Sequence, residues 1–163
     1  MEEQHAAHTA ETREPPIQLA VDAIRNYHQV NTALVLELGH APDDRQLASG
    51  LGLSADEASM LRMANDIGLG KYVEQLPAQP KSQGELRSRS AEFATLVQEA
   101  FMAGLSDRQQ RVLSLYYGLD HNYRFSNRQL HRLLGVSEQR TAVIRYVAGT
   151  KLLSQVGRLL RLN

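Results

Sequence analysis

Arginine and lysine residues accumulate in the last third of the chain, and phosphate binding is the chemistry that they could perform. Residues 104–163 carry 10 Lys/Arg against 3 Asp/Glu, a net charge of +7, whereas residues 1–103 carry 8 against 15, a net charge of −7. A clustered positive charge is the electrostatic footprint of a phosphate-binding surface. The cations that could bind a nucleic-acid backbone are Arg128, Arg132, Arg140, Arg145 and Lys151.

Side chains that could catalyse a reaction or ligate a metal are scattered. The chain has no cysteine, which excludes disulfides and thiolate ligands. Of the six histidines, only His5 and His8 lie three residues apart, and we expect them in a polar tail without regular structure. No Ser/His/Asp set has a recognisable local pattern, and Gly50-x-Gly52 and Gly68-x-Gly70 are too short for a dinucleotide loop. We therefore expect no enzyme, no metal site and no cofactor.

The basic residues belong to the second of two similar segments that start 83 residues apart. Residues 45–61 and 128–144 align without a gap, and each contains Arg-Gln-Leu, then a Leu-Gly-(Leu/Val)-Ser break, then a longer helical pattern. The glycine can end a helix in the left-handed conformation, and the serine can accept a hydrogen bond from the free amides of the next helix. Two helices joined so tightly must cross steeply, so each segment is predicted to form a helix-turn-helix.

Helical periodicity predicts an all-α fold of two small domains, each with a helix-turn-helix, joined by a long loop. We expect a disordered tail over 1–16, a helical domain over 17–66, a linker over 67–89 and a second helical domain over 90–163. Glycine and proline interrupt any continuous helix in the linker. The residues that define it are Gly68, Gly70, Pro77, Pro80 and Gly84.

The apolar residues do not predict a membrane protein. No apolar run approaches the roughly 20 residues that a bilayer-spanning helix needs. The polar N-terminal stretch does not match a signal peptide. We therefore expect a cytoplasmic protein without a membrane partner.

The order of these motifs resembles the C-terminal half of bacterial RNA polymerase sigma factors of the housekeeping type. Residues 105–120, Leu-Ser-Asp-Arg-Gln-Gln-Arg-Val-Leu-Ser-Leu-Tyr-Tyr-Gly-Leu-Asp, followed by the second helix-turn-helix, are similar to region 4 of that family. Residues 17–65, with Leu-Gly-His-Ala-Pro at 38–42 before the first helix-turn-helix, are similar to region 3. The resemblance covers about 17–153. It implies a three-helix domain joined by a long loop to a four-helix domain.

The resemblance also implies two interaction surfaces. In the family, the apolar face of region 4 holds the flap-tip helix of the polymerase β subunit, and one helix of region 4 contacts the −35 promoter element. The positions implied for polymerase binding are Leu105, Arg108, Val112, Leu115 and Tyr116. The positions implied for DNA binding are Arg128, Arg132, Glu138, Gln139, Arg140, Arg145 and Lys151.

Three departures from the family shape the functional hypothesis. Nothing in the sequence resembles region 2, which in the family recognises the −10 element and melts DNA, so the protein would either complement a partner that supplies −10 recognition or alter the polymerase of a resident sigma factor. The DNA-contacting helix has Glu138 and Ala142 where the family usually has arginines that meet bases and phosphates. The family's contacts to the extended −10 element correspond here to Leu19 and Asp22. We therefore expect weak and altered promoter contacts.

We interpret the chain as a sigma-like transcription regulator that docks on the bacterial RNA polymerase core, through the β flap and β′, and modulates promoter recognition or initiation. Promoter DNA and a separate region 2-containing protein are expected partners.

Two alternatives stay open. The first is a polymerase-independent helix-turn-helix regulator that uses 126–153 alone, which salt-dependent DNA affinity would favour. The second is a protein-interaction module that occupies the sigma site or binds a sigma or anti-sigma factor, which polymerase binding without DNA affinity would favour.

Overall fold

The described part of the chain is all-α, which confirms the predicted fold class. The computed structural model describes residues 14–119 and 123–162, and over these ranges it contains helices and no strand. The elements in chain order are α1 (Ile17–Leu38), α2 (Asp44–Leu51), α3 (Ala55–Ala64), a π-helical turn (Asn65–Leu69), α4 (Gly70–Glu74), α5 (Gln83–Gly104), α6 (Asp107–Tyr117), α7 (Asn127–Leu134) and α8 (Glu138–Leu162).

Local capping contacts set most of the helix boundaries. Ser54, Ser106 and Ser126 each accept a hydrogen bond from the backbone amide three residues later, and the Glu or Gln side chain at that position accepts one from the serine amide. These reciprocal bonds satisfy two amides that would otherwise be unpaired at the helix start. Gly52 and Gly135 end α2 and α7 in the left-handed conformation, with φ of 70° and 69°. The turn expected in each helix-turn-helix is therefore present.

One continuous apolar core runs through the described residues. Helix α5 packs against α1 and α3 and also against α8, and buried side chains from all four helices belong to the same cluster. The structure thus differs from the expectation of two separately packed domains. The physical reason is the distribution of apolar residues on α5. Its buried side chains, which include Ala94, Leu96 and Phe101, cover about 160° of the helix circumference at 3.6 residues per turn.

The segment predicted as a linker, 67–89, is largely helical. The chain continues through the π-helical turn and α4, and only residues 75–82 form a non-helical connection to α5. Gly68, with φ of 131°, absorbs a kink inside the helical run. Gly70 leaves room for the Asn65 side chain, which a Cβ at this position would strike. The interruption of helix expected at Gly68 is present, because its backbone leaves the helical conformation, whereas Gly70 and Gly84 lie within α4 and α5 and interrupt nothing.

Four charged side chains, here called the Asp22 cluster, link the 75–82 connection and α5 to α1. Lys81 Nζ lies 2.6 Å from Glu14 Oε1 and 3.2 Å from Asp22 Oδ2. Arg89 Nη2 lies 3.0 Å from Glu14 Oε2, and its Nε lies 2.5 Å from Asp22 Oδ2. The hydrogen bond to Glu14 raises the pKa of Lys81 above its ordinary value, although burial opposes this. Glu14 lies in the predicted tail, whose first 13 residues are outside the described part.

Candidate interaction surfaces

The second helix-turn-helix, formed by α7 and α8, has a complete turn. Ser137 Oγ accepts a hydrogen bond of 3.0 Å from the Arg140 amide, and the Thr141 hydroxyl donates to the Ser137 carbonyl at 3.0 Å. Leu130 of α7 and Leu152 of α8 are fully buried. The start of α8 is therefore fixed relative to α7, and the opposite face of α8 is left to solvent.

Most of the positions implied for DNA binding are exposed, and two make contacts within the fold. The exposed ones are Arg128, Arg132, Glu138, Gln139, Arg140 and Lys151. Lys151 Nζ also lies 3.4 Å from Gln109 Oε1, which belongs to the capping box of α6.

Arg145 joins three helices and is only partly exposed. Its guanidinium carbon lies 4.2 Å from the ring centroid of Tyr116 on α6, and its Nε donates to Asn127 Oδ1 at 3.2 Å at the start of α7. A cation over an aromatic face contributes about 0.5–2 kcal/mol. Burial raises the pKa of the neighbouring Tyr117, and the charge of Arg145 offsets part of that rise. These contacts assign Arg145 to the α6–α7–α8 junction.

The exposed face of α8 carries three large apolar side chains, which we call the α8 apolar face. Val143, Tyr146 and Val147 are 48%, 72% and 47% exposed. Residues three and four apart lie on one side of a helix, so the three form one surface. Direct reading of bases relies mainly on Arg, Lys, Asn and Gln side chains. This face therefore has little capacity to distinguish bases. The sequence interpretation missed Tyr146 and Val147 because apolar residues at helical spacing also indicate a core.

The first helix-turn-helix, formed by α2 and α3, belongs to the scaffold. Leu61 of α3 is fully buried, and α3 packs against α5. Arg62, 4% exposed, makes two hydrogen bonds of 2.9 Å to the two carboxylate oxygens of Asp44 in α2. The exposed start of α3 presents Asp56 and Glu57, which repel phosphates. This helix is not available for DNA recognition.

The two positions that correspond to the family's extended −10 contacts are also enclosed. Leu19 is 8% exposed and Asp22 is 3% exposed. Asp22 is held by Lys81 and Arg89 and accepts a further hydrogen bond of 2.9 Å from Gln18 Nε2. Neither side chain can reach a ligand in solution, which agrees with the expected loss of that contact.

The positions implied for polymerase binding are divided between core and surface. Leu105 and Val112 are 7% and 0% exposed, so they stabilise the core and do not frame an open groove. Arg108 is exposed, whereas Leu115 and Tyr116 are partly exposed. Tyr116 is covered on one face by Arg145. Tyr116 lines a pocket beside Arg145, and Leu115 lines a separate surface groove between α3, α5 and α6.

This groove, here called the methionine groove, runs between α3, α5 and α6. It has a volume of about 520 Å³, and an adjoining cavity of about 450 Å³ extends it toward the start of α3. Met102, at its margin, is 58% exposed. Methionine adapts its shape to apolar partners because it is flexible and polarizable. The apolar residues that line the groove are Met60, Phe101, Met102, Leu115 and Leu119.

Residues 14–119 and 123–162 contain neither a candidate membrane span nor a candidate metal cluster. Within these ranges no helix is both long and apolar enough to cross a bilayer, and no group of three His, Cys, Asp or Glu side chains could hold a metal. The pair His5 and His8 lies outside the described residues. Comparisons with known proteins gave no match to a family model, to a curated protein or to a solved structure.

Proposed function

We propose that this protein is a sigma-like transcription regulator that docks on bacterial RNA polymerase and modulates promoter recognition or initiation. One observation carries the proposal: an open groove with apolar and polar side chains, built partly on the region 4-like segment 105–119, includes residues of α6, and α6 packs against a helix-turn-helix with a complete turn. Docking and DNA approach would thus use neighbouring surfaces of one rigid core.

The methionine groove has the chemistry to accept an amphipathic helix. Met60, Met102 and Leu115 offer apolar contacts, and an amphipathic helix binds such a groove through apolar residues at three- and four-residue spacing. Asp107 and Arg111 line the groove, and Asp56, Glu57 and Glu99 line the adjoining cavity. A helix whose basic residues meet this acidic cavity would therefore be favoured in one orientation. The flap-tip helix of the β subunit is the proposed occupant.

DNA contact in this proposal is electrostatic. Arg128, Arg132 and Arg140 are exposed and can approach phosphates. Each bidentate arginine–guanine contact that is missing removes roughly 1–3 kcal/mol of base discrimination, and the family's arginines are replaced at Glu138 and Ala142. We therefore expect weak DNA affinity that falls steeply with salt and depends little on sequence.

The test is a binding titration of the full chain against polymerase core and against core that lacks the β flap tip. Met102→Glu places a charge in the methionine groove and should weaken binding at least tenfold. Leu36→Glu, at a position on α1 that is 81% exposed, is the matched control and should leave the affinity unchanged. Affinity that survives both the flap deletion and Met102→Glu would remove the proposal.

A second candidate, the polymerase-independent helix-turn-helix regulator, is favoured by the three exposed arginines on α7 and α8. Its test is a titration of the isolated protein with promoter and scrambled duplexes at two salt concentrations. A strong preference for one duplex that persists at high salt would support this candidate over polymerase docking.

A further inference from the structure

We propose that the α8 apolar face is a docking site for an acidic amphipathic helix of a partner protein. The site lies on a different helix from the methionine groove, and the inference does not depend on polymerase docking. Tyr146, with 72% of its surface exposed, and the half-exposed Val143 and Val147 form its centre. A patch of this kind on a rigid helix is typical of an interaction surface.

Positive charge runs along one edge of the same face. Arg140, Val147, Lys151 and Arg158 follow one another at steps of seven, four and seven residues, which places them on one line along the helix. All four are exposed. The three cations, here called the basic edge, span about 27 Å at 1.5 Å per residue. A partner helix of about 18 residues has the length to meet all of them.

The charge of the basic edge is not neutralised by the described part of the protein. Glu138 is the only acid in the 25 residues of α8. The salt bridges among residues 14–119 and 123–162 involve none of the α8 cations. Lys151 makes a hydrogen bond to the neutral Gln109, which leaves its charge uncompensated. The basic edge is therefore open to negative charge from outside the described fold.

An acidic amphipathic helix can cover the α8 apolar face and pair with the basic edge at the same time. Its apolar side chains would cover Val143, Tyr146 and Val147, and each square ångström of apolar surface removed from water contributes about 25 cal/mol. Its acids would face the basic edge. DNA would meet the charge but leave the apolar side chains against polar base edges, apart from thymine methyl groups. A second copy paired through this face would place like-charged edges together.

The experiment measures the binding of three synthetic 18-residue helical peptides to the full chain by fluorescence anisotropy. All three carry leucines at three- and four-residue spacing. One has glutamates beside the leucines, one has lysines there, and one is a scramble of the acidic sequence. The acidic peptide should bind at least tenfold more tightly than the other two. Tyr146→Ser and Lys151→Glu should each weaken it at least tenfold. Tyr72→Ser, at a tyrosine of α4 that is 53% exposed, should not.

Charge reversal on α8 is the decisive part of the peptide-binding experiment. The double substitution Arg140→Glu with Lys151→Glu should transfer the preference from the acidic to the basic peptide. Equal binding of all three peptides would overturn the proposal. The proposal would also be overturned if Tyr146→Ser abolished binding of a DNA duplex, or if it abolished a dimer detected by sedimentation. Retention of polymerase binding by Tyr146→Ser would separate this site from the methionine groove.

Discussion

Replacement of Asp22 by asparagine tests the packing of α5 on α1, and its cost follows from the burial of the cluster. The Asp22 side chain is 2% exposed and that of Lys81 is 7% exposed. Removal of one partner from a buried ion pair costs about 3–5 kcal/mol, because the other charge is left without compensation. Here Lys81 keeps Glu14 at 2.6 Å, and Arg89, 25% exposed, can regain water. We therefore expect a loss of about 3 kcal/mol, at the lower end of that range.

The assay is urea denaturation followed by far-ultraviolet circular dichroism, since the chain contains no tryptophan. Linear extrapolation gives the free energy of unfolding. Glu99→Gln is the matched control, because it makes the same change from carboxylate to amide at an exposed position of α5, where the expected effect is within about 0.5 kcal/mol. A double-mutant cycle with Arg89→Gln measures the coupling between the two side chains.

A loss for Asp22→Asn as small as that of the control would refute this reasoning. It would mean that the carboxylate is hydrated in solution, and that α5 does not cover this side of α1. A large loss without coupling to Arg89 would place the stabilisation on Lys81 and the 75–82 connection instead.

Three further predictions concern pH, the helix junction and proteolysis. Burial raises the pKa of Tyr27 to about 12, whereas a tyrosine in the unfolded chain has a pKa of about 10 and therefore ionises first. The free energy of unfolding should fall between about pH 10 and 12, by up to about 2.7 kcal/mol. Urea titrations of Tyr27→Phe should lack this part of the fall. Arg145→Gln should lower the free energy of unfolding by about 1 kcal/mol yet change DNA affinity less than Arg140→Gln does in the same titration. A protease of broad specificity should cut first within the exposed residues 77–80, as mass spectrometry of early fragments can establish; a first cut within 105–119 would contradict this.

The helix boundaries could be predicted because short-range contacts set them. Ser54 with Glu57, and Gly135 with Ser137, are close in sequence and need only local hydrogen bonds. The π-helical turn could not be predicted in the same way. Gly68 interrupts the helix as expected, but the chain becomes helical again at once in α4, which packs against α1.

The candidate surfaces were predictable only where they depend on one helix. The exposure of Arg128 and Arg140 follows from their place beside the turn of the helix-turn-helix. The burial of Asp22 and the capture of Arg145 by Tyr116 depend on which faces of distant helices meet. No periodicity within α1 or α8 contains that information, so the sequence left Arg145 among the candidate DNA contacts and gave no sign that Asp22 is buried.

The Asp22 cluster also constrains the order in which the protein folds during translation. Asp22 and Arg89 are 67 residues apart in the chain, and at about 5–20 residues per second the ribosome adds Arg89 roughly 3–13 s after Asp22. Until Lys81 and Arg89 are both added, the carboxylate lacks the full set of cations that accompanies it into an apolar interior, so hydration favours an open side of the nascent α1. Val156 and Leu160 of the same core are added later still. The N-terminal helices therefore cannot complete their packing during translation, and native folding waits for nearly the whole chain.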